Sequence, residues 1–265
     1  AFKDMALQCL PQFFSASAQA LRDRGELDHT FCILVATSGD TGKAALEGFK
    51  DADGVRIGVL FPDGGVSDIQ RKQMVTTTGQ NVQAWAVRGN FDDCQTGVKR
   101  VFGDEAFAAE FMDGHQVALS SANSINWGRL MPQIVYYISS YAELVRSGKL
   151  EAGQLLDVCV PTGNFGNILA AWYAKQIGTP IGTLFCASNE NCVLTDFINT
   201  GVYDIADRGF VLTPSPSMDI LVSSNLERQL FELTDRNADA IRQWMGDLDS
   251  QRRFEVDGDT LAKLQ

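Results

Sequence analysis

The sequence predicts an α/β fold, with open, mostly parallel sheets and helices on both faces. Two observations carry this prediction: short, continuous apolar runs recur along the chain, and helical or glycine-bearing segments separate them. Hydrophobic residues make up 45% and charged residues 21% of the 265 positions, as in a globular protein. This length suits one large or two small domains, and we expect two α/β subdomains, a smaller one over 1–128 and a larger one over 129–265.

The predicted strands and helices alternate along the chain, as in an α/β fold. Strands are predicted at the apolar runs 31–35, 55–61, 81–87, 116–120, 156–160 and 181–187. Helices are predicted at 2–24, 42–50, 68–77, 92–102, 127–147 and after Asn167. Pro11 is expected to interrupt or bend the first helix. The stretch 201–216 is rich in loop residues and predicts a surface crossing.

Composition excludes several classes of function. The net charge of -11 argues against binding to nucleic acid or to an anionic membrane surface. No apolar run is long enough for a membrane span, and no signal peptide is visible. His29 and His115 lack the spacing of metal ligands, so no metal site is expected. The six cysteines are scattered and predict buried, reduced thiols of a cytoplasmic protein.

The segment that follows the fifth predicted strand is the strongest candidate for a binding site. The strand ends at Pro161-Thr162-Gly163-Asn164-Phe165-Gly166-Asn167, and this turn opens directly into a helix. Such a turn directs free backbone N–H groups and the positive end of a helix dipole at one point, which is a cradle for an anion such as phosphate. The two glycines allow a ligand to approach closely. The spacing fits neither common nucleotide-binding fingerprint, and an ordinary turn without a ligand is the alternative.

Three further segments hold possible chemistry. Residues 36–42 follow the first strand and supply hydroxyls and one carboxylate, although ordinary capping by Ser38, Asp40 or Thr41 is the alternative. Residues 123–129 follow the fourth strand and offer amides, a hydroxyl and a guanidinium for a second anion, the alternative being a capped helix start with a solvated arginine. Lys3 beside Asp4 is by itself typical of a surface ion pair. Ligands of open α/β sheets bind at the carboxyl ends of strands, where the two loops lie.

Taken together, these segments resemble threonine synthases in order and spacing, over essentially the whole chain. The resemblance is carried by Ala1-Phe2-Lys3-Asp4, by Ala36-Thr37-Ser38-Gly39-Asp40-Thr41-Gly42, by Pro161-Thr162-Gly163-Asn164-Phe165-Gly166-Asn167, by Asn189-Glu190-Asn191-Cys192-Val193-Leu194-Thr195-Asp196-Phe197 and by Thr213-Pro214-Ser215-Pro216-Ser217-Met218-Asp219-Ile220.

The resemblance implies a pyridoxal-phosphate enzyme of fold type II, like the β chain of tryptophan synthase. It implies conversion of O-phospho-L-homoserine and water to L-threonine and phosphate. Lys3, in the first subdomain, would be the Schiff-base lysine, and Asp40 would lie near the pyridine hydroxyl, where relatives have asparagine. The resemblance also implies a cofactor phosphate loop in the second subdomain, formed by Gly163, Asn164, Phe165, Gly166 and Asn167. The substrate carboxylate would bind at Thr37, Ser38 and Thr41. The substrate phosphate would bind at Asn123, Ser124 and Arg129.

Family members extend beyond both ends of the matched region, so the resemblance also implies a fold that is incomplete at both ends. We therefore expect the 265 residues alone to form an α/β core with impaired catalysis. Two alternatives remain. A serine or threonine dehydratase-like lyase shares the fold, but its relatives carry Asn-His where this chain has Asp40-Thr41. A non-catalytic paralogue that binds a phosphate ligand would also keep the loops. The sequence makes no prediction of oligomeric state.

Overall fold

The computed structural model describes residues 2–265, except for the side chains of Asp92 and Pro216. Ala1, the first residue of the Ala-Phe-Lys-Asp motif, therefore lies outside the described residues. The chain divides into two compact units, Ala1–Pro132 and Gln133–Gln265. Both units contain parallel strands that alternate with helices, so the predicted α/β class is confirmed.

Unit 1 is built on a four-stranded parallel sheet in the order β3-β2-β1-β4. Parallel neighbours bring the loops that follow them to one edge of the sheet. The elements are α1 Phe2–Asp23, β1 Thr30–Ala36, α2 Asp40–Phe49, β2 Val55–Pro62, α3 Asp68–Val75, β3 Val82–Val87, α4 Phe91–Gly103, α5 Glu105–His115, β4 Val117–Ser120 and the start of α6 Trp127–Arg146.

Helices cover both faces of this sheet, as predicted. Side chains alternate across a strand, so successive residues of β1 enter different clusters. Ile33 and Val35 pack in a large core with residues of α1 and α2, such as Phe49. Ala36, on the opposite face, packs with Cys94 of α4.

The helix that carries Lys3 packs closely against α2. A Cβ atom built on Gly48 would lie only 1.9 Å from the backbone oxygen of Leu7, so only glycine allows this approach. Pro11 was expected to interrupt or bend α1. It does not interrupt the helix, which is continuous from Phe2 to Asp23. Pro11 has no N–H to donate to Leu7 four residues earlier, and the backbone of Gly48 packs beside this carbonyl.

Unit 2 has a parallel pair, β5 with β6, and a short antiparallel pair, β7 with β8. Tyr203 and Phe254 stack across the antiparallel pair at 5.2 Å between ring centroids, and Phe197 contacts both rings. The elements after the end of α6 are β5 Leu156–Pro161, α7 Gly166–Gln176, β6 Ile181–Ala187, α8 Val193–Thr200, β7 Val202–Asp204, a 3-10 turn Pro216–Met218, α9 Leu226–Leu233, α10 Ala238–Gln251, β8 Arg253–Glu255 and α11 Gly258–Leu264.

Several local predictions need correction. Helix α5 was not predicted, and it contains no buried residue that would mark a core face. The stretch predicted as a loop from residue 201 contains β7. The cysteines are unpaired, but only Cys94 is buried, whereas Cys9 of α1 and Cys159 of β5 are exposed and the other three are half-buried. Within residues 2–265, no helix has the length and hydropathy needed to cross a bilayer.

Candidate functional site

Lys3 lies in the first turn of α1 and faces Asp40, not the adjacent Asp4. Its Nζ is 3.6 Å from Asp40 Oδ2, and 26% of its side chain is exposed. Asp4 instead accepts a hydrogen bond from Lys43 at 2.8 Å. Burial lowers the pKa of the Lys3 ammonium, the charge of Arg129 lowers it further, and Asp40 acts in the opposite direction. Lys3 is therefore a more readily deprotonated amine than a surface lysine.

The loop between β1 and α2 is organised around the buried side chain of Thr37. Its Oγ1 accepts hydrogen bonds from the backbone N–H groups of Gly39 and Gly42, both at 2.9 Å. The alternative that Ser38, Asp40 or Thr41 caps the helix is wrong, since Gly39 occupies the cap position without a side-chain cap and the helix N–H of Gly42 donates to Thr37 instead. The side chain of Ser38 makes no hydrogen bond with any other described residue.

Asp40 is also held by a residue that the sequence analysis did not identify. Gln70, in the first turn of α3, donates its side-chain amide to Asp40 Oδ1 at 2.5 Å. The oxygen of the same amide accepts a hydrogen bond from Ser67 Oγ at 3.0 Å. Ser67 and Gln70 form a capping box, and the spacing Ser-x-x-Gln before a predicted helix was the signal for it.

Arg129 lies beside the same cluster at the start of α6. It is 5% exposed and donates to Ala122 O at 3.1 Å and to Thr41 Oγ1 at 3.2 Å, so the alternative of a solvated arginine is wrong. The Oδ1 atom of Asn123 is buried and has no hydrogen-bond partner within residues 2–265. An unsatisfied buried carbonyl oxygen costs about 1–3 kcal/mol, and only a hydrogen-bond donor could complete its bonding. Ser124 is half-buried in the same turn.

In unit 2, the turn between β5 and α7 is a cradle of free backbone donors. Phe165 adopts the left-handed conformation, with φ of 65°, and is the N-cap residue of α7. The N–H groups of residues 163–167 donate no hydrogen bond to any part of the chain that the structure describes. A helix N-terminus with unpaired N–H groups is a favourable position for an anion.

The acceptors of this turn are tied back by the segment before α9. Ser223 Oγ donates to Gly163 O at 2.8 Å, and the backbone N–H of Asn225 donates to Asn164 O at 3.1 Å. The side chain of Asn225 donates to the same oxygen at 3.0 Å, and Asn225 is fully buried. Because these carbonyls are engaged from behind, the opposite side of each peptide is left to donate.

Gly163 and Gly166 were expected to let a ligand approach the turn closely. In the structure, they make room for neighbouring protein atoms. A Cβ atom on Gly163 would lie 3.2 Å from Met218 Cα, and one on Gly166 would lie 3.3 Å from the side chain of Asn225. The glycines therefore permit close packing of residues 217–225 against the turn.

The chain is similar to several known proteins, although no family model matches it. A human protein called threonine synthase-like 1 is 45% identical over 269 residues, which is 100% of this chain and 35% of that protein. Threonine synthase of Schizosaccharomyces pombe is 45% identical over 245 residues, 88% of this chain and 46% of that protein. The crystal structure of threonine synthase from Brucella melitensis with bound pyridoxal phosphate superposes with a TM-score of 0.84 and 42% identity, over 99% of this chain and 52% of that one.

Over nearly its whole length, the chain is similar to part of the threonine synthases. It spans about a third of the length of the human relative and about half of the other two proteins. The fold is therefore that of the pyridoxal-phosphate enzymes of fold type II.

The later motifs that resemble threonine synthases support the cradle. Asp219 is buried and accepts hydrogen bonds from Asn189 at 2.7 Å, from Asn191 at 3.2 Å and from Thr213 Oγ1 at 2.7 Å. This network holds residues 211–220 against the turn at Gly163. Ser223 and Asn225, which lie just beyond it, were missed because no local pattern marks them.

Asn167 stabilises the turn of this threonine synthase homologue from within. Its side-chain amide donates to Pro161 O at 2.6 Å, and its Oδ1 accepts from the N–H of Ile168 at 3.0 Å. Tyr137 donates its hydroxyl to Asn167 O at 2.8 Å, and burial raises the pKa of Tyr137 to about 12. The turn is thus braced by side chains whose protonation does not change near neutral pH.

Proposed function

We propose that this chain carries the lysine and the cofactor-phosphate cradle of a pyridoxal-phosphate-dependent threonine synthase. The whole protein would convert O-phospho-L-homoserine and water to L-threonine and phosphate. The observation that carries the proposal is the set of unpaired N–H groups at residues 163–167, tied back through their carbonyls. Relatives named threonine synthase and a solved threonine synthase with the cofactor bound support it.

The residues present fit pyridoxal phosphate. The cradle at residues 163–167 offers backbone donors suited to a phosphate ester, and Lys3 offers an amine with a pKa lowered by burial. When bound, pyridoxal phosphate supplies an aldehyde for the lysine amine and a ring that accepts electron density from the substrate.

Proton movement is the role proposed for Lys3. A neutral amine at Lys3 Nζ takes the proton from the substrate Cα, which requires the lowered pKa that burial and Arg129 produce. Over the whole reaction, Cβ loses a proton and gains the hydroxyl of water. Cγ gains a proton as its C–O bond to phosphate breaks. Asp40, which faces Lys3, is proposed to lie near the pyridine hydroxyl.

Substrate recognition is assigned to the remaining groups of unit 1. Ser38 and Thr41, in the loop that Thr37 shapes from inside, are proposed to bind the substrate carboxylate. Asn123, Ser124 and Arg129 are proposed to bind the substrate phosphate, with the buried guanidinium of Arg129 as the cation and the Asn123 amide nitrogen and Ser124 hydroxyl as hydrogen-bond donors. All of these groups lie in unit 1.

Titration with pyridoxal phosphate, followed by borohydride reduction and peptide mapping, tests the lysine. We expect an absorbance band that is lost in Lys3→Ala and kept in Lys99→Ala, which removes an exposed lysine of α4. Release of phosphate from O-phospho-L-homoserine supports the synthase. Release of ammonia from threonine instead would identify a dehydratase-like lyase. Equal cofactor affinity of wild type and Lys3→Ala, without turnover, would identify a binding module.

The proposed compartment is the cytoplasm. All six cysteines are unpaired, and Cys9 and Cys159 are exposed. Unpaired exposed thiols fit a reducing environment.

A further inference from the structure

Gln70 is held in one orientation. Its oxygen Oε1 accepts hydrogen bonds from Ser67 Oγ at 3.0 Å and from Ser67 N at 3.4 Å. An amide oxygen only accepts and an amide nitrogen only donates, so Nε2 must face Asp40. This nitrogen lies 2.5 Å from Asp40 Oδ1.

The loop before α2 is shaped to admit this side chain. Gly39 has φ of 135°, and a Cβ atom there would lie 2.3 Å from Gln70 Oε1. Any other residue at position 39 would displace the amide that reaches Asp40. The hydrogen bond between Gln70 and Asp40 therefore joins the first turns of α3 and α2, the helices that follow the neighbouring strands β2 and β1.

The other oxygen of Asp40 makes a long ion pair with Lys3. The distance between Lys3 Nζ and Asp40 Oδ2 is 3.6 Å, whereas a direct charge-assisted hydrogen bond is about 2.7–2.9 Å. We propose that Gln70 is a positioning residue, which holds Asp40 through Oδ1 and keeps Oδ2 from closing on the Lys3 amine. Its importance for catalysis rests on the proposed function, but its effect on Lys3 does not.

The charges around Lys3 give the direction of the effect. Burial and Arg129 lower the pKa of Lys3, and Asp40 opposes them. Coulomb attraction grows as the inverse of distance, so an Asp40 released by Gln70 would approach Lys3 and stabilise the ammonium form. Lys43, the other lysine nearby, forms an ion pair with Asp4 at 2.8 Å and not with Asp40.

The test measures the reactivity of the Lys3 amine in the protein without added cofactor. Competitive acetylation across a pH series, with peptide mass spectrometry of the Lys3 peptide, reports the neutral fraction of that amine. In Gln70→Leu we expect acetylation at about pH 8 to slow by roughly three- to tenfold, because the ion pair shortens. Gln73→Leu, which removes an exposed glutamine of the same helix, is expected to leave the rate unchanged.

A double-variant cycle shows whether the effect passes through Asp40. In an Asp40→Asn background, Gln70→Leu is expected to change the Lys3 rate by less than about twofold. The same slowing in that background would overturn the proposal, as would a wild-type rate in folded Gln70→Leu. If Gln70→Leu does not fold, Gln70→Met keeps the side-chain length without a donor and gives the same test.

The outcomes separate this inference from the proposed function. If Gln70→Leu slows acetylation but pyridoxal phosphate gives no Lys3-dependent absorbance band in the wild-type protein, the positioning role stands and the proposed role of Lys3 as the cofactor lysine fails. If the band forms and Lys3 is acetylated equally fast in both proteins, Gln70 is only a cap of α3 and the positioning role fails.

Discussion

The packing of α1 on α2 gives a test in which two physical effects oppose each other. Gly48 lies in α2, and a methyl group there would occupy a point 1.9 Å from Leu7 O and 2.8 Å from Leu7 C. Both atoms belong to the backbone, so no side chain can rotate away. Lys3 lies four residues before Leu7 on the same face of α1, so a displacement at Leu7 also moves Lys3.

The size of the effect follows from these distances. A carbon atom rests roughly 3.3 Å or more from a carbonyl oxygen, so Gly48→Ala must separate the helices by about 1.4 Å at this point. Overpacking of this kind costs about 1–3 kcal/mol, sometimes more, whereas replacing glycine by alanine in a helix gains up to about 1 kcal/mol. We therefore expect Gly48→Ala to lower the free energy of unfolding by about 1–2 kcal/mol.

Gly97→Ala is the matched control. Gly97 lies in the interior of α4, in the same unit, and a Cβ atom there would have no neighbour within 4 Å. This variant should gain about 0.5–1 kcal/mol from helix propensity alone. Urea unfolding followed by circular dichroism measures both, and acetylation of Lys3 reports whether α1 has moved. If Gly48→Ala is as stable as Gly97→Ala, the close approach of α1 and α2 is wrong.

Two further predictions concern unit 2. Asn225→Ala removes the hydrogen bonds of the buried Asn225 to two half-buried partners, Asn164 O and the guanidinium of Arg228. We expect a cost of about 2–3 kcal/mol in urea unfolding and weaker pyridoxal-phosphate binding. The exposed Asn199→Ala is the control, and unchanged affinity in calorimetry would contradict the bracing role. Burial raises the pKa of Tyr203 from 10.0 to about 12, so the stability it contributes is present below about pH 10 and is lost as pH rises through about 12. Urea midpoints measured across this range should fall more steeply in wild type than in Tyr203→Phe, and parallel curves would refute this linkage.

Much of the fold follows from local pattern. Continuous apolar runs such as 55–61 are buried on both sides, and this burial predicts parallel strands between helices. The turn at residues 163–167 is predicted in the same way, because a turn that leads from a strand directly into a helix presents the first N–H groups of the helix, which have no partner within the helix. Helix α5, which buries no residue, has no such signal and was missed.

In the candidate site, too, some features follow from the sequence and others only from the tertiary structure. The sequence by itself determined which residue types stand at the strand ends and which family their order resembles. Only the tertiary structure decided that Thr37 turns inward and accepts hydrogen bonds from Gly39 and Gly42, that Gln70 orients Asp40, and that Asn225 braces Asn164. Those partners lie 30 and 61 residues apart in the last two cases. Contacts over such separations depend on which strands become neighbours and how closely helices pack, and no local periodicity encodes that choice.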